Sequence, residues 1–183
     1  MEDLLTFAIG DVHGCFDKLE AILLACDRVR AGREVRYVFI GDYIDRGPDA
    51  RKVIDLLMDK QLSEGSRFVC LRGNHEQMLI VAAAEGRSDR DLMTWWANGG
   101  EQTLDSYGVN DPRSLSAPHL EWIKALPLRF ADEKRLFVTR EFDPVSPVAD
   151  AASDLRSACT NTGRARVPSV RREEFVGCGS KNL

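Results

Sequence analysis

Three short apolar runs, each followed by a polar loop that contains glycine, constrain the fold of this chain more than any other feature of its sequence. The runs cover residues 4–9, 37–40 and 68–71, and segments with helical periodicity lie between them. Short apolar runs bounded by glycine are typical of buried strands. Strands that alternate with helices indicate βαβ units and a mainly parallel sheet. We therefore predict an α/β fold.

The helical segments carry start and stop signals of their own. Asp17, followed three residues later by Glu20, resembles a capping box and predicts the N-cap of the first helix. A second helix is predicted to begin near Pro48, because proline is favoured at the first helical position. A third helix is predicted over residues 76–85, before a glycine. The run at Leu136–Val138 predicts a fourth strand.

Polar side chains suited to binding a cation follow each of the first three strands. The loops have the sequences GDVHG at residues 10–14, GDYIDRG at 41–47 and RGNHE at 72–76. In an open parallel sheet the carboxyl ends of neighbouring strands deliver their loops to one crevice, where ligands bind. The residues that we expect to converge there are Asp11, His13, Asp42, Asn74 and His75.

The chemical types in these loops suit divalent cations and phosphate. Carboxylate, imidazole and amide groups match manganese, iron, zinc or magnesium better than soft copper ions. Two such ions bridged by one carboxylate can activate a water molecule and clamp a phosphate group. Arg46 and Arg72 lie in the same loops, and planar guanidinium groups bind phosphate oxygens in bidentate fashion. The pattern predicts a metal-dependent phosphoester hydrolase.

The three motifs GDVHG, GDYIDRG and GNHE resemble the signature blocks of the PPP-type serine/threonine phosphatases, within the calcineurin-like metallophosphoesterases. GDVHGC and GNHEQML are most similar to the bacterial branch, which also includes the symmetrical diadenosine tetraphosphatases. The resemblance covers about residues 5–138. It implies an α/β/β/α sandwich, in which two mixed sheets are flanked by helices, and a centre of two divalent metal ions.

The resemblance also implies roles for individual residues. Asp11 and His13 would bind the first ion, Asp42 would bridge both ions, and Asn74 would bind the second.

Four further residues would act on the substrate. His75 would serve as the general acid toward the leaving oxygen, paired with Asp45, while Arg46 and Arg72 would hold the phosphate.

The sequence departs from the family pattern at the second ion. The family has two further histidines, in blocks similar to VHAG and GHTP, and Thr139 stands where the first is expected. The chain has only three histidines, and the last, His119, is predicted to lie at an exposed helix start, away from the metal. The second ion therefore keeps only Asp42 and Asn74 among its expected ligands, and we predict that this site is empty or filled by water at physiological metal levels.

The composition changes at the point where the pattern fails. We predict a catalytic domain at residues 1–138 with an incomplete second sheet, followed by an atypical tail at residues 139–183 that is rich in Arg, Ser and Ala and favours a loop-rich or disordered segment. The abrupt change motivates the hypothesis that the gene is truncated or shifted in frame near Val138. If no other reading frame of the DNA encodes the two missing histidine blocks, the hypothesis is wrong.

Charge and cysteine content limit the surroundings and partners of the chain. A net charge of -4 argues against a general nucleic-acid binder, and no apolar run approaches the roughly 18 residues of a membrane span. The acidic N-terminus lacks the basic region of a secretory signal. Five scattered cysteines favour reduced thiols in a cytoplasm.

Three functions remain open from the sequence alone. The substrate of a hydrolase is expected to be a phosphorylated protein, which GDYIDRG favours modestly, or a nucleotide-type phosphoester such as a diadenosine polyphosphate or a capped RNA end. The missing histidines favour a third alternative, a catalytically impaired remnant that binds one metal ion or phosphate.

Overall fold

Three parallel strands in sequence order form the centre of the fold. They are β1 (Leu5–Ile9), β2 (Val35–Phe39) and β3 (Phe68–Cys70). Ile9 pairs with Phe39, and Phe39 with Cys70, so that all three strands end at the same level. The computed structural model of the protein describes residues 4–139. Within them, the predicted α/β architecture with its parallel sheet is confirmed.

The helices connect the strands and then extend beyond them. Their bounds are α1 (Phe16–Arg30), α2 (Ala50–Glu64), α3 (Asn74–Ala82), α4 (Asp89–Trp95), α5 (Glu101–Tyr107) and α6 (Ala117–Ala125).

The three predicted helix starts are wrong in detail. The N-cap of α1 is Cys15, and Asp17 lies inside the first turn, where its carboxylate still interacts favourably with the helix dipole. α2 begins at Ala50, two residues after Pro48, because a turn with N-cap Asp49 precedes it. α3 covers Asn74–Ala82 rather than residues 76–85, so that the polar residues of the third loop form its first turn.

The core lies where α2 packs beside the sheet. Val53, Ile54 and Leu57 of α2 are completely buried, as are Phe39 in β2 and Leu79 in α3. They belong to one continuous cluster of buried apolar residues. Burying such a side chain stabilises the fold by about 1.5–3 kcal/mol, and the cluster therefore supplies a firm base for the polar loops at the strand ends.

A small second sheet follows α6. β4 (Arg129–Ala131) pairs in antiparallel fashion with β5 (Leu136–Val138). The predicted fourth strand is thus confirmed, and it lies in this two-stranded sheet. Thr139, which follows β5, is buried. The rest of the tail predicted at residues 139–183 lies outside the described residues, so the domain boundary near Val138 stays a prediction.

Buried Glu76 ties the second and third loops together. Its carboxylate accepts hydrogen bonds from the backbone N–H groups of Asp42 and Tyr43, both at 2.8 Å, and of Gly73 at 2.9 Å. Burial raises the pKa of Glu76 to about 7, the charge of Asp42 adds to the rise, and the backbone hydrogen bonds oppose it. The loop after β1 joins the same assembly, because the N–H groups of Val12 and His13 donate to the Asp42 carbonyl at 3.0 and 2.8 Å.

The helices of residues 4–139 do not include one that combines the length and the apolar character needed to cross a membrane.

Truncating a core residue of α2 tests the packing. Leu57→Ala is expected to lower the free energy of unfolding by about 2–5 kcal/mol, because Leu57 is completely buried and the change leaves a cavity. Leu62→Ala, on the same helix but with the leucine 88% exposed, is the matched control and should change it by no more than about 0.5 kcal/mol. Urea titration of both variants measures the difference, and equal effects would contradict the described core.

Replacing the loop-tying carboxylate tests its contribution. Glu76→Gln is expected to lower the free energy of unfolding by about 1–3 kcal/mol, because the amide NH2 group cannot accept from the backbone N–H groups that face it. Glu85→Gln, at an exposed position just beyond α3, serves as the control. If both variants unfold at the same urea concentration as the parent chain, Glu76 does not hold the loops.

Candidate metal centre

The strand-end loops bring together three side chains of the kinds that bind metal ions. The imidazoles of His13 and His75 and the carboxylate of Asp42 each offer a ligand atom, and these atoms lie within 4.8 Å of one another. Asp42 and His75 are buried, and His13 is half-buried. Among residues 4–139 this is the group of histidine, cysteine and acidic side chains with the spacing to hold an ion.

Two more of the predicted metal ligands flank this group. Oδ2 of Asp11 lies 3.8 Å from Nε2 of His13, and the Asp11 side chain is half-exposed. The Asn74 amide lies 3.2 Å from both carboxylate oxygens of Asp42, when it is oriented so that its NH2 group donates to them. In that orientation the amide oxygen is left to serve another partner. All four residues predicted to bind metal are thus brought to one crevice.

The hydrogen bonds of His13 determine which ring nitrogen is available to a metal. Nδ1 lies 3.0 Å from the carbonyl oxygen of Ile44, so it carries the proton and donates it. Nε2 then carries the lone pair, which is the form of the nitrogen that can bind a cation. Burial is the largest influence on the pKa of His13 and lowers it; the charges of Arg46 and His75 act in the same direction. The neutral imidazole is therefore favoured.

Asp42 is held in place by its neighbours on both sides. Its Oδ1 accepts the backbone N–H of His75 at 3.1 Å, and its own N–H donates to Glu76. Its backbone has φ = +58°, a left-handed conformation that aspartate and asparagine tolerate better than most residues. The buried carboxylate is consequently fixed where the loop after β2 meets the loop after β3.

His75 and Asp45 form the pair that the sequence predicted. Nδ1 of His75 lies 2.7 Å from Oδ2 of Asp45, and both side chains are almost completely buried. The roles of general acid and its partner remain predictions.

The two predicted phosphate-binding arginines differ in position. The Arg46 guanidinium contacts both imidazoles, with Nη1 2.9 Å from Nε2 of His13 and Nη2 3.1 Å from Nε2 of His75. The Nη1 atom of Arg72 instead donates to the carbonyl of Lys124 at 3.3 Å, beside the end of α6. The contacts described for Arg72 do not bring it into the cluster as those of Arg46 do.

His119 corrects a prediction. It was expected to be exposed, but it is only 8% exposed. Its Nδ1 lies 2.7 Å from the hydroxyl of Tyr107, and its Nε2 lies 3.0 Å from a carboxylate oxygen of Asp55. Because both ring nitrogens have polar partners, the imidazole can be buried without loss of hydrogen bonds. The expectation that it stands apart from the metal ligands agrees with these contacts.

Backbone strain is concentrated at the crevice. Five residues other than glycine have positive φ within residues 4–139, and four of them are His13, Asp42, Asp45 and Arg46. Such conformations cost about 1–3 kcal/mol each and persist where the surrounding structure enforces them, most often at functional sites.

Sequence reasoning missed three residues that support the crevice: Glu76, Trp95 and Thr103. Glu76 belongs to the GNHE motif but received no role, while Trp95 and Thr103 are 50 and 58 residues from their partner Asp45. No local pattern signals contacts at that separation.

Comparisons with known proteins bear on this geometry. Residues 5–154 match the sequence model of the family described as calcineurin-like phosphoesterase. Serine/threonine-protein phosphatase 1 of Salmonella typhimurium is 38% identical over 95 residues, which cover 52% of this chain and 38% of that protein. The symmetrical bis(5'-nucleosyl)-tetraphosphatase of a Janthinobacterium species is 30% identical over 135 residues, covering 74% of this chain and 43% of that protein.

A solved structure resembles the fold at lower identity. The crystal structure of a hypothetical protein from Pyrococcus horikoshii has a TM-score of 0.52 and 20% identity, and the match covers 70% of this chain and 50% of that one. This likeness concerns the fold alone.

The chain spans less than half the length of the two relatives named above, at 38% and 43%. The family model nevertheless matches most of the chain and includes every residue of the crevice. The chain therefore belongs to the calcineurin-like phosphoesterase family.

Proposed function

We propose that this chain hydrolyses phosphate esters at a divalent cation held by Asp11, His13 and Asp42, with Asn74 beside them. The observation that carries the proposal is the cluster of His13, Asp42 and His75, whose ligand atoms lie within 4.8 Å of one another. The Arg46 guanidinium contacts both imidazoles of this cluster. Membership in a family of phosphoesterases supports the reaction type.

The residues present fit one hard or borderline divalent cation. His13 offers Nε2 because its Nδ1 is committed to the Ile44 carbonyl, and Asp11 and Asp42 supply carboxylate oxygens. A cation bound there would lower the pKa of a coordinated water molecule and stabilise charge on a phosphate oxygen.

The chain's own residues would carry the remaining steps. The Arg46 guanidinium bonds two neutral imidazoles through N–H groups that can equally be donated to phosphate oxygens. To act as the general acid, His75 would take up a second proton on Nε2, as an imidazolium whose Nδ1–H remains on Asp45 at 2.7 Å, and would deliver that proton to the leaving oxygen. The Nη1 atom of Arg72 donates to the carbonyl of Lys124, so a phosphate would be bound through the other N–H groups of this guanidinium.

A second ion has fewer ligands to bind it. Thr139 stands where the family pattern has a histidine, and a neutral hydroxyl is a poor ligand for the expected metals. We therefore propose one tightly held ion, with manganese as the ion to test first.

We propose two candidate substrate classes, in order of preference. The relative from Salmonella is named as a serine/threonine-protein phosphatase, and the motif GDYIDRG points the same way, so a phosphorylated protein is the first candidate. A dinucleotide polyphosphate is the second, because relatives named as symmetrical bis(5'-nucleosyl)-tetraphosphatases align with about 70% of this chain. Turnover of a phosphoserine protein against diadenosine tetraphosphate separates the two.

Binding of a metal ion or phosphate without turnover is the alternative that the missing histidines favour. Tight manganese binding together with the absence of activity on both substrates would establish it in place of hydrolysis.

We propose the cytoplasm as the compartment of this chain. The thiols of Cys26 and Cys70 form no disulfide in the structure, which supports this proposal.

Exchange of the central carboxylate tests the hydrolase. Asp42→Asn should lower manganese-dependent hydrolysis of p-nitrophenyl phosphate by at least about 100-fold, because the amide lacks the charge that holds the cation. Asparagine tolerates the left-handed backbone at this position (φ +58°), so the fold should be kept. Asp59→Asn, at an exposed site on α2, is the matched control for contaminating phosphatase. Equal activity in both variants would sink the proposal.

Metal stoichiometry tests the number of ions. Calorimetric titration of the chain with manganese should give one tight site, and Asp11→Asn should weaken that site at least about tenfold, because it removes an anionic ligand. The binding measurement does not depend on activity. A measured ratio of two tightly bound ions per chain would contradict the single-ion proposal.

A further inference from the structure

The carboxylate of Asp45 is buried completely and is surrounded by donors from helices that lie far along the chain. The indole Nε1 of Trp95 lies 3.1 Å from Oδ1 and 3.0 Å from Oδ2. The hydroxyl of Thr103 lies 2.7 Å from Oδ1. The donors of Trp95 and Thr103, together with His75, stabilise a carboxylate charge whose burial would otherwise be costly.

The protons in this network can be assigned from the chemistry of each group. An indole N–H only donates, so Asp45 accepts from Trp95. The hydroxyl oxygen of Thr103 accepts the backbone N–H of Asp45 at 2.9 Å, and its own proton is then directed to Oδ1. Asp45 is therefore an acceptor at both oxygens. The Nδ1 atom of His75, at 2.7 Å from Oδ2, must carry a proton, and Nε2 is left with its lone pair when the ring is neutral.

The same stretch of chain also holds the backbone next to Asp45. A π-helical turn, Trp96–Gly100, joins α4 to α5, and the carbonyl of Gly99 accepts the N–H of Arg46 at 3.0 Å. Gly99 has φ = +97°, and a Cβ at this position would lie 2.7 Å from the backbone nitrogen of Arg46. Asp45 and Arg46 themselves have φ of +68° and +67°. This close approach holds the strained pair in place.

We propose that Trp95 and Thr103 are positioning residues for the candidate site, acting through Asp45 on His75. We call these two residues the Asp45 clamp. Their N–H and O–H groups occupy the carboxylate so that one oxygen remains aimed at Nδ1 of His75, which fixes the tautomer and the orientation of the imidazole. The contribution to hydrolysis rests on the proposed function, whereas the effect on the tautomer of His75 does not.

The clamp makes a specific prediction for turnover. Thr103→Val keeps the shape of the side chain but removes the hydroxyl, and Trp95→Phe keeps an aromatic ring but removes the N–H. Each should lower kcat by roughly 10–100-fold, the usual effect of removing a group that orients a catalytic ligand, with little change in KM. Thr103→Ser keeps the hydroxyl and should restore most of the activity. Thr94→Val, the same exchange at an exposed site on α4, is the matched control.

A spectroscopic measurement tests the clamp without metal or turnover. The chain has only three histidines, so the ring nitrogens of His75 can be assigned in long-range proton–nitrogen NMR spectra of the labelled metal-free chain. The parent chain, Thr94→Val and Thr103→Ser should show His75 in the form protonated at Nδ1. Thr103→Val and Trp95→Phe should show a mixture of both tautomers. His119, which bonds Tyr107 and Asp55 instead of Asp45, is the internal reference.

The two measurements separate failure of the clamp from failure of the proposed function. If the parent chain hydrolyses no phosphate ester but the tautomer of His75 changes in Thr103→Val or Trp95→Phe, the clamp stands and the hydrolase proposal falls. If the His75 resonances of the folded variants equal those of the parent chain, the clamp is wrong, whatever their activity. Thermal melting shows which variants are folded, and either of the two suffices because they remove different donors.

Discussion

The hydrogen bonds that the buried Glu76 carboxylate accepts are the interactions on which the rest of the site depends. Sheet pairing aligns the strand ends, but the backbone hydrogen bonds of the sheet do not extend to the loops beyond them. Glu76 supplies acceptors for N–H groups of the second and third loops, and the carbonyl of Asp42 then receives the N–H groups of the first loop. Burying a charge is costly unless it is saturated with hydrogen bonds. Because the charge is stabilised only when all of these hydrogen bonds form together, the three loops adopt their arrangement cooperatively.

A second principle of the site is that each histidine has one nitrogen committed to the protein. His13 donates from Nδ1 to the Ile44 carbonyl, and His75 from Nδ1 to Asp45. Both rings consequently present Nε2 to the same space, where the Arg46 guanidinium meets them. His119 lies apart, and its two nitrogens face Tyr107 and Asp55. The group that Nδ1 contacts therefore distinguishes the two crevice histidines, which present Nε2 to a shared space, from His119, whose Nε2 faces Asp55.

Much of the fold and the chemical content of the crevice could be predicted from the sequence, because both are local patterns. Strand ends followed by polar loops determine where side chains such as Asp42 emerge, and parallel pairing brings them together. The contacts that Asp45 makes with Trp95 and Thr103 span 50 and 58 residues, and they arise only when α4 and α5 pack beside the loops. The burial of His119 was unpredictable for the same reason, since its partners come from two other helices.

The positive φ angles at Asp45 and Arg46 have a consequence for how this chain tolerates substitution. Glycine or asparagine at position 46 would relieve the backbone of a conformation that arginine adopts only under constraint, and such a chain should be the more resistant to heat. It would also lose the guanidinium that faces the two imidazoles. At residue 46, thermal stability and the guanidinium of the candidate site thus make opposite demands. A screen for thermally stable variants would therefore favour loss of Arg46.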